Sequence, residues 1–393
     1  MALSVAHVNF SARGGSGSVA KMLVGAQRDQ GLDSYLVHKI ESDLRSAPFS
    51  APLHTLAAGL DEYVVKAKGF PAPISLLRDG LVGIPRELLD AADVIHLHGI
   101  NGALPVSTLA KLWPAKRIIW TLHDMNPFTG VCHYALDCEG FRSSCSSCPA
   151  VKTVFQSAVA VSLDRKFSAI ATLRDLTVVS PSEWLADQAR SSAVLAGHTI
   201  NVINNPINSA FLVEEESTES GGDTSELVIA VVAQNLSDPV KNVREVANAF
   251  RAVSKLVPSA RLMLIGRGGS EFEGDGVTRL GPLTPPEMAI ELGRCDVLVS
   301  SSRAENSPLV ILEAAARGCQ SLVAAVGGMP ELISQLGAGL LYSSQEDLVK
   351  SLVSLAGEEP SVRAKSRARL KSAAHSAFTP QKVASDYVEL YEK

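Results

Sequence analysis

The feature that most constrains this chain is a rhythm in which short β-branched apolar runs recur, each followed by a longer helical pattern. The runs are Val5 to Phe10, Val94 to Leu97, Ile118 to Leu122, Thr177 to Val179, Leu227 to Val232, Arg261 to Ile265, Val297 to Val299 and Ser321 to Ala324. A strand that is apolar at alternating and intervening positions has no face for water, so these runs predict parallel sheets covered by helices. Most of them end in Gly, Ser, His or Asp, residues suited to the loops at strand carboxyl ends where open α/β sheets bind ligands. A chain of 393 residues exceeds one ordinary core and suits two domains. The composition shifts at Val202–Asn208 and becomes acidic and Gly/Ser-rich from Val213 to Glu226, with Glu214-Glu215-Glu216 and Gly221-Gly222. The expected architecture is α/β, with two doubly wound, Rossmann-like domains facing a central cleft. Residues 1–203 form the first domain and 204–378 the second, and a closing helix over 379–393 packs back on the first. Asn205-Pro206 and that helix are expected to act as hinge and latch.

Apolar residues make up 46% and charged residues 20% of the chain, which places it among globular proteins with sizeable cores. A net charge of -5 with no Lys/Arg run excludes the basic excess that a nucleic-acid backbone requires. No stretch reaches the ~18 apolar residues of a membrane span, and the first residues lack a signal-peptide pattern. The expectation is a cytoplasmic protein, with peripheral contact at the inner face of a membrane left open.

Two segments carry chemistry. In Ser11-Ala12-Arg13-Gly14-Gly15-Ser16-Gly17-Ser18 the glycines follow the first strand and open a helix, where free N–H groups favour an anion. The spacing meets neither the P-loop nor the full dinucleotide fingerprint, so a plain tight turn is an equal reading. In Ser300–Gly318, Ser307 suits an N-cap, Pro308 the first helical position and Gly318 the stop, predicting a helix over 308–317. Glu305 then lies at the helix mouth and Glu313 just over one turn inside. A carboxylate so placed can accept two hydrogen bonds from a ribose diol while helix N–H groups take a diphosphate. By spacing alone, a surface helix with solvated glutamates is the simpler account.

The E-x7-E pair Glu305 and Glu313, followed by Gly327-Gly328-Met329-Pro330-Glu331, resembles the C-terminal signature of family four of the retaining glycosyltransferases, which have the GT-B fold. The resemblance extends to Ala92–Gly99, to Trp120-Thr121-Leu122-His123-Asp124, to Val202–Phe211 and to the helix over 384–391. The segment from Thr121 to Pro149 is similar to members that build bacterial exopolysaccharides of the colanic acid type. The resemblance implies transfer of a sugar, with retention, from a UDP- or GDP-sugar to a saccharide or lipid-linked acceptor. It implies that Glu313 binds the ribose, that Glu305 contacts the donor sugar or its phosphates, and that N–H groups from Ser307 through Leu309 and Val310 help at the diphosphate. By the same resemblance, Gly15 and Gly17 are expected to line the phosphate or acceptor side, His123 to touch the transferred sugar, and Lys241 to neutralise the leaving diphosphate. Many members carry an arginine just after the first strand of the second domain. This chain has Ala233-Gln234-Asn235-Leu236 there, which shifts leaving-group charge to Lys241 and helix dipoles. Arg267 is a candidate substitute, though an ordinary loop arginine is the simpler reading, and a structural role is the simpler reading of His98.

No Asp-x-Asp motif and no nucleophile elbow occurs, so no catalytic cofactor or metal is expected. Of six cysteines, Cys132, Cys138, Cys145 and Cys148 crowd into C-H-x4-C-x6-C-x2-C, which suits a tetrahedral structural zinc; two disulfides or packing thiols remain open. Three alternatives also stay open: a nucleotide-sugar epimerase, a sugar-phosphate synthase, and a catalytically idle nucleotide-binding subunit.

Overall fold

A computed structural model describes residues 2–38, 50–78, 84–213 and 226–393. The acidic, Gly/Ser-rich stretch with Glu214-Glu215-Glu216 and Gly221-Gly222 lies outside the described residues. The chain divides into two compact units, Met1–Asn204 with Val383–Lys393, and Asn205–Lys382.

The first unit holds a six-stranded sheet of β1 (Ser4–Asn9), β2 (Asp33–His38), β3 (Val94–Leu97), β4 (Arg117–Thr121), β5 (Leu176–Ser180) and β6 (Ile200–Val202). Its order is β2-β1-β3-β4-β5-β6, with every pair parallel. The second unit holds β7 (Val228–Asn235), β8 (Arg261–Arg267), β9 (Val277–Leu280), β10 (Val297–Ser300), β11 (Gln320–Ala324) and β12 (Leu340–Tyr342). Its order is β12-β11-β10-β7-β8-β9, again all parallel. The eight apolar runs of the sequence are the eight interior strands. The four that the runs did not reveal, β2, β6, β9 and β12, are the four sheet edges. Edge strands have one neighbour and need less apolar surface, so they lack the signal.

Strand alternation explains the doubly buried pattern. In β10, Val297 and Val299 join a core with Val246, Phe250 and Leu352 on one face. Leu298 joins Ile311, Leu332 and Phe378 on the other. The first unit has its own core, with Leu97, Trp120, Phe128 and Leu163 among its members. Among the described residues, no helix is long and apolar enough to cross a membrane.

One glycine shows how tightly β7 and β8 end. Gly266 has φ +143, and a Cβ there would lie 1.8 Å from the Ala233 carbonyl oxygen. Neither backbone can yield, because Leu236 N–H donates to the Arg267 oxygen at 2.8 Å just beyond. Gly266→Ala should therefore destabilise the second unit by more than about 2 kcal/mol. The chain's three tryptophans, Trp113, Trp120 and Trp184, all lie in the first unit. Urea unfolding should show an earlier circular-dichroism transition with an unmoved fluorescence midpoint, and coincident wild-type curves would refute the clash.

Candidate functional site

Strand order reverses between β10 and β7 in the second unit, and the loops leaving these two strands form one cluster. Lys241 Nζ lies 2.5 Å from Glu305 Oε1, and Ser302 Oγ donates to the same oxygen at 2.9 Å. The loops are also joined by main chain. Ser301 Oγ reaches the Lys241 and Asn242 oxygens at 3.0 Å each, and Arg303 N–H donates to the Val240 oxygen at 2.8 Å. Glu305 is buried while Lys241 stays about one-third exposed, so the ammonium keeps donors open to solvent on one side. The Gly327-Gly328 pair serves this loop directly. Gly328 N–H donates to the Glu305 oxygen at 3.1 Å, and a Cβ at Gly327 would lie 1.9 Å from that oxygen.

The helix expected over 308–317 runs Leu309–Ala316, with Pro308 as N-cap. Its stop is a Schellman motif on Gly318 (φ +75), with Gly318 N–H on Ala315 and Cys319 N–H on Ala314. Ser307 is not the cap. Its position precedes Pro308, its main-chain oxygen accepts from Asn205 Nδ2 at 3.0 Å, and its hydroxyl is buried without a partner. The N–H groups of Leu309 and Val310 open the helix, where no intrahelical acceptor precedes them. Glu313 is partly buried inside the first turns, and desolvation lifts its carboxyl to about 7. The Arg267 guanidinium lies beside Gln234, with Nε 3.5 Å from the Gln234 oxygen.

In the first unit, strand order reverses between β1 and β3. The helix after β1 spans Gly14–Asp29. Gly15 is exposed with open space at its Cβ position, as a lining residue requires. Gly17 differs: it is buried, and a Cβ there would lie 2.4 Å from the Ser11 oxygen. Close packing against the Ser11 and Ala12 backbone is by itself enough to require glycine at this position.

His123 follows β4 and ends a chain of buried rings that residue-by-residue reading missed. His98 Nδ1 lies 2.9 Å from His123 Nε2, and His98 Nε2 lies 3.0 Å from His7 Nδ1. His7 Nε2 lies 2.8 Å from Gln27 Oε1, and Gln27 Nε2 donates to Tyr391 Oη at 2.9 Å. Tyr391 Oη lies 2.6 Å from His96 Nδ1, and His96 Nε2 lies 2.8 Å from Thr121 Oγ1. Thr121 Oγ1 in turn lies 2.8 Å from Tyr387 Oη. A sequence signal did exist: residues two apart on a strand share a face, so His96 and His98 had to neighbour each other, with His7 as the β1 register partner of His96. Burial holds the rings neutral, pushing His7 and His123 down to about 4 and His96 and His98 well below the ordinary imidazole range. Asp124, the next residue, lies 2.6 Å from His133 Nδ1. Burial pushes its carboxyl up, but the His133 imidazole and the Asn126 N–H outweigh this and leave it below the usual value.

His133 belongs to the cysteine segment. The four thiols line one cavity of about 10 Å³ without closing to metal-ligand spacing. Among the described residues the set whose ligand atoms all lie within 4.8 Å is instead His7, His96 and His98. The nitrogens of those three rings already have protein partners, which removes the need for an ion. All six cysteines are free, so the disulfide alternative is not what this structure contains. The hydrogen bond between Cys132 and Cys148 raises the Cys132 thiol and lowers the Cys148 thiol, and burial pushes the Cys145 thiol up to about 11.

Residues 226–358 match the family described as Glycosyl transferases group 1. The chain is 26% identical over 317 residues to "Putative colanic acid biosynthesis glycosyl transferase WcaC" of Escherichia coli (strain K12), covering 76% of this chain and 75% of that protein. Among solved structures, sucrose-phosphate synthase from Thermosynechococcus elongatus superposes with a TM-score of 0.69 at 15% identity, covering 99% of this chain and 98% of that one. Anabaena HepE in complex with UDP and glucose gives 0.62 at 14% identity, covering 99% of each chain.

The buried rings set an acid limit on the first unit. Below the ordinary imidazole value of 6.5 the unfolded chain takes up protons that the folded rings refuse until about pH 4. Stability from this source is full above 6.5 and falls with pH through that window. Tryptophan-monitored urea unfolding should show at least about 2 kcal/mol less stability at pH 5 than at pH 7. A pH-independent midpoint would show that the rings are not held neutral.

Proposed function

We propose, from the premise that this chain is a GT-B glycosyltransferase whose second unit carries a group 1 glycosyl transferase domain, that it moves a sugar with retention from a nucleotide-diphosphate sugar to a saccharide or lipid-linked acceptor. The observation that carries the reading is the joining of Lys241, Glu305 and the Leu309–Ala316 helix mouth at one strand-order reversal. The HepE complex holds UDP and glucose, which supports a uridine nucleotide as the first donor to try. Cytoplasmic placement belongs to the same reading, a compartment in which six free thiols are expected.

The chemistry follows from charge. The bond between the anomeric carbon and the diphosphate oxygen breaks as negative charge builds on the diphosphate and positive charge on the sugar. An ammonium has three donors. Glu305 takes one, fixing the direction of Lys241, and the others are available to the leaving diphosphate. The Leu309 and Val310 N–H groups and the helix dipole add to the same field. Glu313 accepts from the ribose diol, Ser307 supplies a buried hydroxyl beside the helix mouth, and Arg267 beside Gln234 contributes the cation that many family members place after the corresponding strand. Gly15 leaves room for an approaching ligand, and His123 meets the transferred sugar.

Glu313 gives the donor test a pH signature. A diol donates best to a carboxylate, and this carboxyl ionises near 7, so donor binding should tighten as pH rises from 6 to 8. Titration calorimetry should show a several-fold gain in wild type and none in Glu313→Gln, which also loses about 1 to 3 kcal/mol of affinity at pH 8. Lys241→Ala should bind donor within a few-fold of wild type and lose most of kcat. A flat wild-type profile would remove Glu313 from the ribose, and full turnover by the lysine variant would remove Lys241 from the leaving group.

The cysteine segment enters this reading as a structural zinc site, supported by four sulfurs that line one small cavity. Protein purified without added metal should carry about one zinc per chain, lost together when Cys145 and Cys148 become serine. Metal-free protein with four titratable thiols would overturn it.

A further inference from the structure

We propose that His98, backed by His7 and Gln27, is the positioning residue that fixes the ring plane and tautomer of His123, keeping Nε2 protonated and Nδ1 as the hydrogen-bond acceptor. The catalytic purpose of this arrangement rests on His123 meeting the transferred sugar.

The argument is one of donors and acceptors. A neutral imidazole has one of each, so in a series of neutral rings the tautomer at one end dictates all the others. Gln27 sets that end. Its Nε2 is spent on Tyr391 Oη at 2.9 Å, and its Oε1 receives the Ser34 hydroxyl at 2.9 Å and His7 Nε2 at 2.8 Å. His7 must then carry its proton on Nε2, which leaves Nδ1 to accept from His98 Nε2–H at 3.0 Å. His98 Nδ1 is left to accept from His123 Nε2–H at 2.9 Å. The rings lie nearly parallel, His98 to His123 with centroids 5.2 Å apart at 26° and His7 to His98 at 5.3 Å and 20°, so the plane is set as well as the proton.

The amide also decides what the chain cannot do. A side-chain carbonyl does not pass a proton onward at neutral pH, so the series ends at Gln27 as an anchor rather than an exit. Groups facing it from other elements are His96 on β3, Thr121 on β4, Asp124 beyond β4, and Tyr387 and Tyr391 on the Pro380–Tyr391 helix. Asp124 is the one acid among these and is engaged by His133. A ring kept neutral adds no positive charge beside a sugar that is itself becoming positive.

The test is long-range ¹H–¹⁵N NMR on the full chain labelled at histidine, from pH 5 to 8, with His123 assigned through His123→Gln. The expected result is an Nε2–H tautomer for His123 that does not titrate in this range. In His98→Phe, which keeps a ring without nitrogens, His123 should become a tautomer mixture and titrate nearer the ordinary range. Its kcat should drop at least about 10-fold, with donor affinity unchanged within about 2-fold. Should His98→Phe not fold, His98→Gln decides: its oxygen can accept from His123 and its amide N–H donate to His7, so it should keep the tautomer and most of kcat. An Nδ1–H tautomer, ordinary titration in wild type, or unaltered His123 signals in His98→Phe would overturn the proposal. Full transfer by His123→Gln would instead overturn the placement of His123 at the sugar, and with it the purpose of the chain, while the NMR result stands alone on whether the chain sets the tautomer.

Discussion

Both candidate sites depend on one constraint, the reversal of strand order within a parallel sheet. Crossovers on either side of the reversal leave toward opposite faces, and the strand ends between them open to a ligand. Between β1 and β3 the gap is fastened by Gly99 N–H donating to Asn9 Oδ1 at 2.6 Å, a contact so close that a Cβ on Gly99 would come 2.9 Å from that oxygen. Between β7 and β10 the fastening is the Ser301 hydroxyl and the Arg303 N–H on the Asp238–Asn242 loop. Moving either loop means breaking main-chain ties, so the functional side chains inherit the rigidity of the sheets.

The two units then solve opposite electrostatic problems. The second gathers charge: a lysine and glutamate in direct contact, a helix start, and a carboxyl poised near neutrality by burial. The first unit excludes charge. His7, His96 and His98 are buried and His123 is part-buried, and the contacts that link them are hydrogen bonds rather than ion pairs. Buried polar networks of this kind hold a unique geometry only when every member is satisfied.

How much of this was legible follows the same physics. Interior strands announce themselves because both faces must be apolar, so β1, β3, β4, β5, β7, β8, β10 and β11 could be read from the sequence. The edges β2, β6, β9 and β12 could not; β9, for example, exposes Thr278 and Arg279. By spacing alone Glu305 and Glu313 read as solvated surface glutamates, and it was the resemblance to a family motif that singled them out together with Lys241. The histidine series was half visible: the alternation of His96 and His98 places both on one face, but only the β1–β3 register adds His7, and only tertiary packing adds Gln27 and Tyr391. Ser307 was misread as a cap because cap propensity says nothing about a following Pro308 that takes the position instead. A glycine needed for close packing and one needed for a ligand look alike in sequence, and at Gly17 the structure supplies the packing reason.

Tyr391, with Tyr387 beside it, completes the polar interior of a unit whose remaining members lie before Asn205. On a ribosome adding ~5 to 20 residues per second, that hydroxyl follows Asn204 by on the order of 10 to 40 seconds. During that interval the whole of the second unit is made, while His96 and Gln27 wait for a partner. Nascent chains of this protein therefore pass through a state in which the later-made half can be folded and the earlier-made half still lacks its last buried hydrogen bonds.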